Sequence, residues 1–185
     1  MKINENGFVI IISNRILYGT EYAAKINKHL ISKNKNPVIK YLDLEKGHNK
    51  NAIINKYSGL VISIESLKKH EDLIKYIIKK TKYIFLLDEI ETILKNITGS
   101  TNKDHLGCCD LIYKLWESSK TNVILDAYLS YKSVGFIKLM NELTNRKDNI
   151  YIHQNDYNKY PKIFNIKYYV KKRLQISSLE SLYNR

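Results

Sequence analysis

Asp88 and Glu89 stand at the end of an apolar run, Tyr83 to Leu87, and Glu91 follows two positions later. An unbroken run of this kind, bounded by charge, reads as a strand covered on both faces, as in a parallel sheet. Acids at the carboxyl end of such a strand sit where open α/β sheets bind ligands. An Asp there can hold Mg²⁺ through water, and the Glu beside it can orient or deprotonate an attacking water. The competing reading is structural: Asp88 caps the next helix and Glu89 sits well in its first turn. Three further polar groups end apolar runs. Ser13, Asn14 and Arg15 follow Phe8–Ile12; Glu65 and Ser66 follow Gly59–Ile64; Asp126 follows Val123–Leu125, with Ser130 beyond it. A strand-end Arg beside a helix start suits a nucleic-acid backbone, or forms a salt bridge to a neighbouring acid. Glu65 and Ser66 either hold the same strand or cap a helix.

These residues need a frame that brings strand ends together. Strands are expected at 8–13, 38–42, 59–64, 83–88, 123–125 and 150–152, with 163–171 a candidate seventh ending in basic residues. Between them lie amphipathic patterns: Leu17, Tyr22, Ala23, Ile26 and Leu30; Leu73, Ile74, Ile77 and Ile78; Ile93, Leu94 and Ile97; residues 105–118; and Val134 to Leu143. Pro37 breaks the first, and polar stretches at 47–50 and 99–104 read as loops. Strands alternating with helices at this spacing give an α/β domain with a mainly parallel sheet of about six strands and helices on both faces. Right-handed crossovers then put all the polar strand ends on one edge. No repeat or linker divides the 185 residues, which read as one domain with its core at 8–170 and a basic tail or connection at 171–185.

The formal charge of +13 points to a polyanionic partner. Composition tempers that, because the chain is rich in Lys, Asn, Ile and Tyr, with Tyr 15 against Phe 4, as an A/T-rich coding bias produces. The adjacent Cys108 and Cys109 offer no disulfide framework and fit a reducing compartment. No histidine or cysteine spacing suggests a metal set. No apolar run approaches membrane-spanning length and the start lacks a signal-peptide pattern, so a soluble intracellular protein with no membrane partner is expected.

Four blocks in order resemble the first motor domain of superfamily 2 helicases, and more narrowly the replication origin-binding protein family of herpesviruses and related large DNA viruses. Ile10-Ile11-Ile12-Ser13-Asn14-Arg15 resembles motif Ia. Leu60-Val61-Ile62-Ser63-Ile64-Glu65-Ser66-Leu67 is similar to the next block, where a strand runs into an (E/N)SL turn. Phe85-Leu86-Leu87-Asp88-Glu89-Ile90-Glu91 resembles the Asp-Glu (Walker B) motif, and Val123-Ile124-Leu125-Asp126-Ala127-Tyr128-Leu129-Ser130 resembles motif III. The resemblance implies a RecA-like P-loop NTPase fold, DNA as partner (single-stranded or origin duplex), Mg²⁺ and ATP as cofactors, and a place in the nucleus or cytoplasm, viral replication sites included. It implies catalytic roles for Asp88 and Glu89, Mg²⁺ held by Asp88 through water, and nucleotide contacts at Asp88, Glu91, Asp126 and Ser130. It implies nucleic-acid contacts at Ser13, Asn14, Arg15, Glu65 and Ser66. Glu91 either faces motif III, in place of the His or Asp of other helicases, or is a solvated helix residue.

One departure stands against the matches. The family opens with a phosphate-binding loop, G-x-x-x-x-G-K-[ST], whose amides and Lys cradle the nucleotide. None of the seven glycines here is followed by Lys. The chain is therefore expected to be an incomplete, N-terminally truncated motor domain that does not turn over ATP alone, with a second polypeptide as a candidate source of the missing parts. A non-catalytic nucleic-acid-binding module and an unrelated Mg²⁺-binding α/β domain are the alternatives. If the helicase order holds, 83–88 flanks 122–126, and 122–126 pairs in parallel with 150–154 unless a segment such as 163–171 intervenes.

Overall fold

Five runs rich in β-branched or aromatic residues form the sheet. A computed structural model of the chain describes residues 4–14, 16–44, 49–99, 104–127 and 129–146. The strands are β1 (Asn4–Ser13), β2 (Val38–Lys40), β3 (Gly59–Ser63), β4 (Thr81–Asp88) and β5 (Thr121–Leu125), and the helices are α1 (Ile16–Ser32), α2 (Lys50–Lys56), α3 (Glu71–Lys80), α4 (Ile90–Thr98), α5 (His105–Ser118) and α6 (Tyr131–Leu143). The strand order is β2-β3-β1-β4-β5, and every pairing is parallel. The fold is an α/β sheet with helices on both faces.

Side chains alternate across a strand, and the two faces are treated differently. One face carries Phe8, Ile10, Ile12, Leu60, Ile62, Tyr83, Phe85 and Leu87, buried under residues of α2 to α6 such as Ile53, Ile74, Ile93, Leu111 and Met140. The other carries Ile11, Val38 and Val61 under Ala23, Tyr22, Ile26 and Leu30 of α1. Trp116 lies in the core, edge-on to Phe136 with ring centroids 5.8 Å apart. Cys108 is buried in helix packing while Cys109 is exposed.

β1 and β3 meet the expectation of strands covered on both sides. β4 does not: Ile84 is 40% exposed while Tyr83, Phe85 and Leu87 are buried. Among the described helices α1 alone lies on that face, and it reaches Leu86 but leaves Ile84 uncovered. The continuous apolar run hid a half-covered strand. A further helix, α2, follows directly on the stretch read as loop, where no element was expected, starting from Asn49, whose side chain accepts from the Asn51 amide.

Gly59 is required where β3 starts beside β1. A Cβ there would lie 2.4 Å from Val9 Cγ1 and 2.6 Å from the Val9 carbonyl oxygen, so only glycine permits this register. The 83–88 strand flanks the 121–125 strand, with Asp88 opposite Leu125. Residues 150–154, 163–171 and 171–185 lie outside the described residues, and so do the pairing and tail expected there.

Candidate functional site

The carboxyl ends of β1, β3, β4 and β5 bring most of the expected residues to one edge. The connection leaving β1 passes through α1 on one face, whereas those leaving β3 and β4 pass through helices on the other. In open α/β sheets such a divergence opens a crevice at the carboxyl edge. β1 lies at its centre. Ser13 is paired with Ser63 of β3, and Ile12, just before it, is paired with Leu87, just before Asp88.

The β4–β5 side is acidic. Asp88 is half-buried, and its carboxyl is held above the usual range by desolvation, then by the charges of Glu89 and Asp126. It faces α1, since burial and the Asp88 charge together push the Tyr22 phenol up. Asp88 does not cap the following helix. The N-cap of α4 is Glu89, which makes no side-chain capping bond and adopts the left-handed conformation, φ 58° and ψ 58°. Its amide donates to the Leu125 carbonyl at 2.9 Å, extending the β4–β5 contact past the strand end.

The cap comes from the neighbouring strand end instead. Asp126 Oδ2 accepts from the Glu91 amide at 2.9 Å, satisfying one of the orphan donors of the first turn of α4. Glu91 reciprocates: its Oε1 accepts from the Ser130 amide at 2.9 Å and from the Ser133 hydroxyl. Ser130 is itself the N-cap of α6, its hydroxyl accepting from the Lys132 amide. Burial pushes the Glu91 carboxyl up, but the bonds from Ser130 and Ser133 outweigh it and hold the group below the usual range. Of the two placements open for Glu91, the chain adopts the one facing the 126–130 segment. Ser133, fully buried, was not foreseen, because its partner Glu91 lies on another helix and is brought to it only by the fold.

The β1–β3 side is lined by hydroxyls and amides. Asn14, 5% exposed, accepts through Oδ1 from Asn96 Nδ2, so the second turn of α4 reaches back to the end of β1. Ser63 Oγ lies 3.1 Å from Ser66 Oγ and 3.4 Å from the Tyr41 hydroxyl. Glu65 is exposed in the 3₁₀ turn Ile64–Ser66 and caps no helix. Arg15 lies outside the described residues. Lys40, Tyr41 and Thr20, which border this side, were missed in sequence because nothing in their local pattern distinguishes them from other Lys, Tyr and Thr residues.

No family model matches the chain, and no curated protein does. Among solved structures it is similar to a shikimate kinase from Acinetobacter baumannii in complex with shikimate, at 8% identity and a TM-score of 0.33, over 77% of this chain and 96% of that one. A likeness of that size fixes neither fold nor chemistry. Among the described residues no helix is long and apolar enough to cross a membrane.

Proposed function

We propose that the chain is a nucleic-acid-binding α/β domain of the helicase-motor type. The hydroxyl-lined half of its carboxyl edge grips a phosphate backbone, and the acidic half presents Asp88 to a nucleotide phosphate. The observation that carries this reading is the division of one carboxyl edge, at the strand where the connections diverge, into a hydroxyl-lined and an acidic half. The narrower assignment, to the motor of a replication origin-binding protein, rests on the order of the four blocks and is part of the proposal.

Mg²⁺ takes one or two carboxylates together with phosphate oxygens and retained waters. Asp88 fits that role: its carboxyl is half-buried, and beside the desolvation that raises its affinity for a proton stand the negative charges of Glu89 and Asp126, which a cation would offset. Glu91 and Asp126 are engaged in the joint between α4 and α6. Bound there, Mg²⁺ would neutralise phosphate charge. The chain's own residues orient Asp88 through the Glu89–Leu125 bond and hold the β4 and β5 ends together through Glu91 and Asp126. In this reading Glu89 is the residue assigned to act on a water. Because the sequence holds no phosphate-loop signature, the domain binds without turning over ATP by itself.

Two measurements on the purified chain test this. Single-stranded DNA should bind with an affinity that falls linearly on a log–log salt plot, because neutralising phosphates releases counterions. DNA-stimulated ATP hydrolysis should stay at background, and Glu89→Gln should change nothing. No DNA binding at low salt, or ATP turnover that Glu89→Gln abolishes, would overturn the reading.

A further inference from the structure

Among the described residues, β4 and β5 share one side of the sheet that no helix fully covers. Alternate residues of a strand face the same way, so along β4 this side reads Lys82, Ile84, Leu86 and Asp88. Thr121, Val123 and Leu125 of β5 stand opposite Ile84, Leu86 and Asp88. Ile84 and Leu125 are 40% and 38% exposed, whereas Phe85 and Leu87, on the other side of β4, are fully buried. α1 packs over Ile11, Val38 and Val61 of the first three strands and reaches β4 only at Leu86. A helix with its side chains is about 10–12 Å across and strands lie about 4.8 Å apart, so one helix spans two strands. The β4–β5 pair is therefore the width of one more helix. The five residues of β5 rise about 17 Å, a length that about 11 residues of helix match.

Charge at the two ends of this face sets the direction of what covers it. Lys82 and Lys120, both exposed, stand where β4 and β5 begin. Asp88 stands where β4 ends, with the charges of Glu89 and Asp126 acting on it. A helix carries partial positive charge at its N-terminus and partial negative charge at its C-terminus. Laid antiparallel to β4, a helix sets its N-terminus at Asp88 and its C-terminus at Lys82; laid parallel, it sets like charge against like. We infer that the face formed by Ile84, Val123 and Leu125 is a docking surface for an amphipathic α-helix of a partner polypeptide, running antiparallel to β4. About three turns of that helix lie on the face, with its apolar side inward. The surface stands apart from the nucleic-acid reading, and its test uses no DNA.

The test uses the full chain and two synthetic peptides of about 12 residues, each held helical by a lactam bridge and carrying a fluorophore. Both place leucines along one helical face. One has lysines in its first turn and glutamates in its last, and the other has the two exchanged. By fluorescence anisotropy the first should bind about tenfold tighter than the second, because its end charges and its dipole both match the face. Ile84→Ser should weaken that binding about tenfold through lost apolar contact, and Lys82→Glu should remove the preference between the peptides. Leu106→Ser, at an 85% exposed position on α5, should change neither. Circular dichroism checks the folding of each variant, and Lys82→Glu, at an exposed position, decides the matter if Ile84→Ser fails to fold. If neither peptide binds, or if both variants bind the peptides as the unmodified chain does, the inference is overturned. A dimer seen by sedimentation that Ile84→Ser dissolves overturns it too, since the face then belongs to a second copy.

Discussion

Glu89 holds φ 58° and ψ 58°, a conformation that costs a residue with a Cβ about 1–2 kcal/mol. Glycine would adopt it freely but loses more entropy on folding, about 0.5–1 kcal/mol. Glu89→Gly is therefore expected to raise stability by about 0.5 kcal/mol, measured by urea denaturation, whereas Glu89→Gln leaves it unchanged. A stabilised Glu89→Gly protein would mean that the acid is kept at a cost, as functional residues are. Asp88 makes a second residue-level prediction. Its folded-state pKa is raised, so it contributes stability below its ordinary value of about 3.9, and that contribution is lost as pH rises through the folded value. At neutral pH the half-buried anion is a cost. Asp88→Asn should raise the melting temperature at pH 7, and the difference from the unmodified chain should vanish below about pH 3.9. A lower melting temperature for Asp88→Asn at pH 7 would show that the carboxylate has a cationic partner instead.

Among elements, the joint between α4 and the β5–α6 connection is the feature that no single stretch of sequence displays. Asp126 caps α4 from the next strand, and Glu91 ties back to the N-cap of α6. Removing the Glu91 carboxylate leaves the Ser130 amide and the Ser133 hydroxyl without their acceptor, and an unsatisfied buried group costs about 1–3 kcal/mol. Glu91→Ala should be destabilised by an amount in that range at pH 7, by chemical denaturation. The folded-state pKa of Glu91 is depressed, so its stabilisation is present above the ordinary Glu value and is lost as pH falls through the folded value. The deficit of Glu91→Ala should shrink in acid accordingly. The strands themselves were legible, because runs such as Phe8–Ser13 and Tyr83–Leu87 are too apolar and β-branched for anything but buried strands. Their coverage was not. Whether Ile84 meets a helix depends on where α1 lies, which is a tertiary fact, and a continuous apolar run conceals it. The helix at 50–56 was lost for a related reason: seven residues are too few for a clear period, and packing of Ile53 and Ile54 decides the matter.

For the whole molecule, strand order converts scattered motifs into a site. Ser13, Ser63, Asp88 and Asp126 are far apart in sequence, and an expected parallel sheet sufficed to place them on one edge. The neighbours of Ser13 and Ser63 were beyond that reasoning, since Lys40, Tyr41 and Thr20 reach them from α1 and the β2 end by three-dimensional proximity alone. Net charge of +13 is likewise ambiguous by itself, because lysines spread over solvated faces give the same total as a focused binding site. The difference is measurable. Oligothymidylate affinity of the full chain should drop about tenfold or more on Arg15→Ala, the arginine of the block that resembles motif Ia, and by less than about twofold on Lys79→Ala, on the exposed side of α3. Equal sensitivity to the two changes would make the charge compositional and contradict a nucleic-acid site on the carboxyl edge.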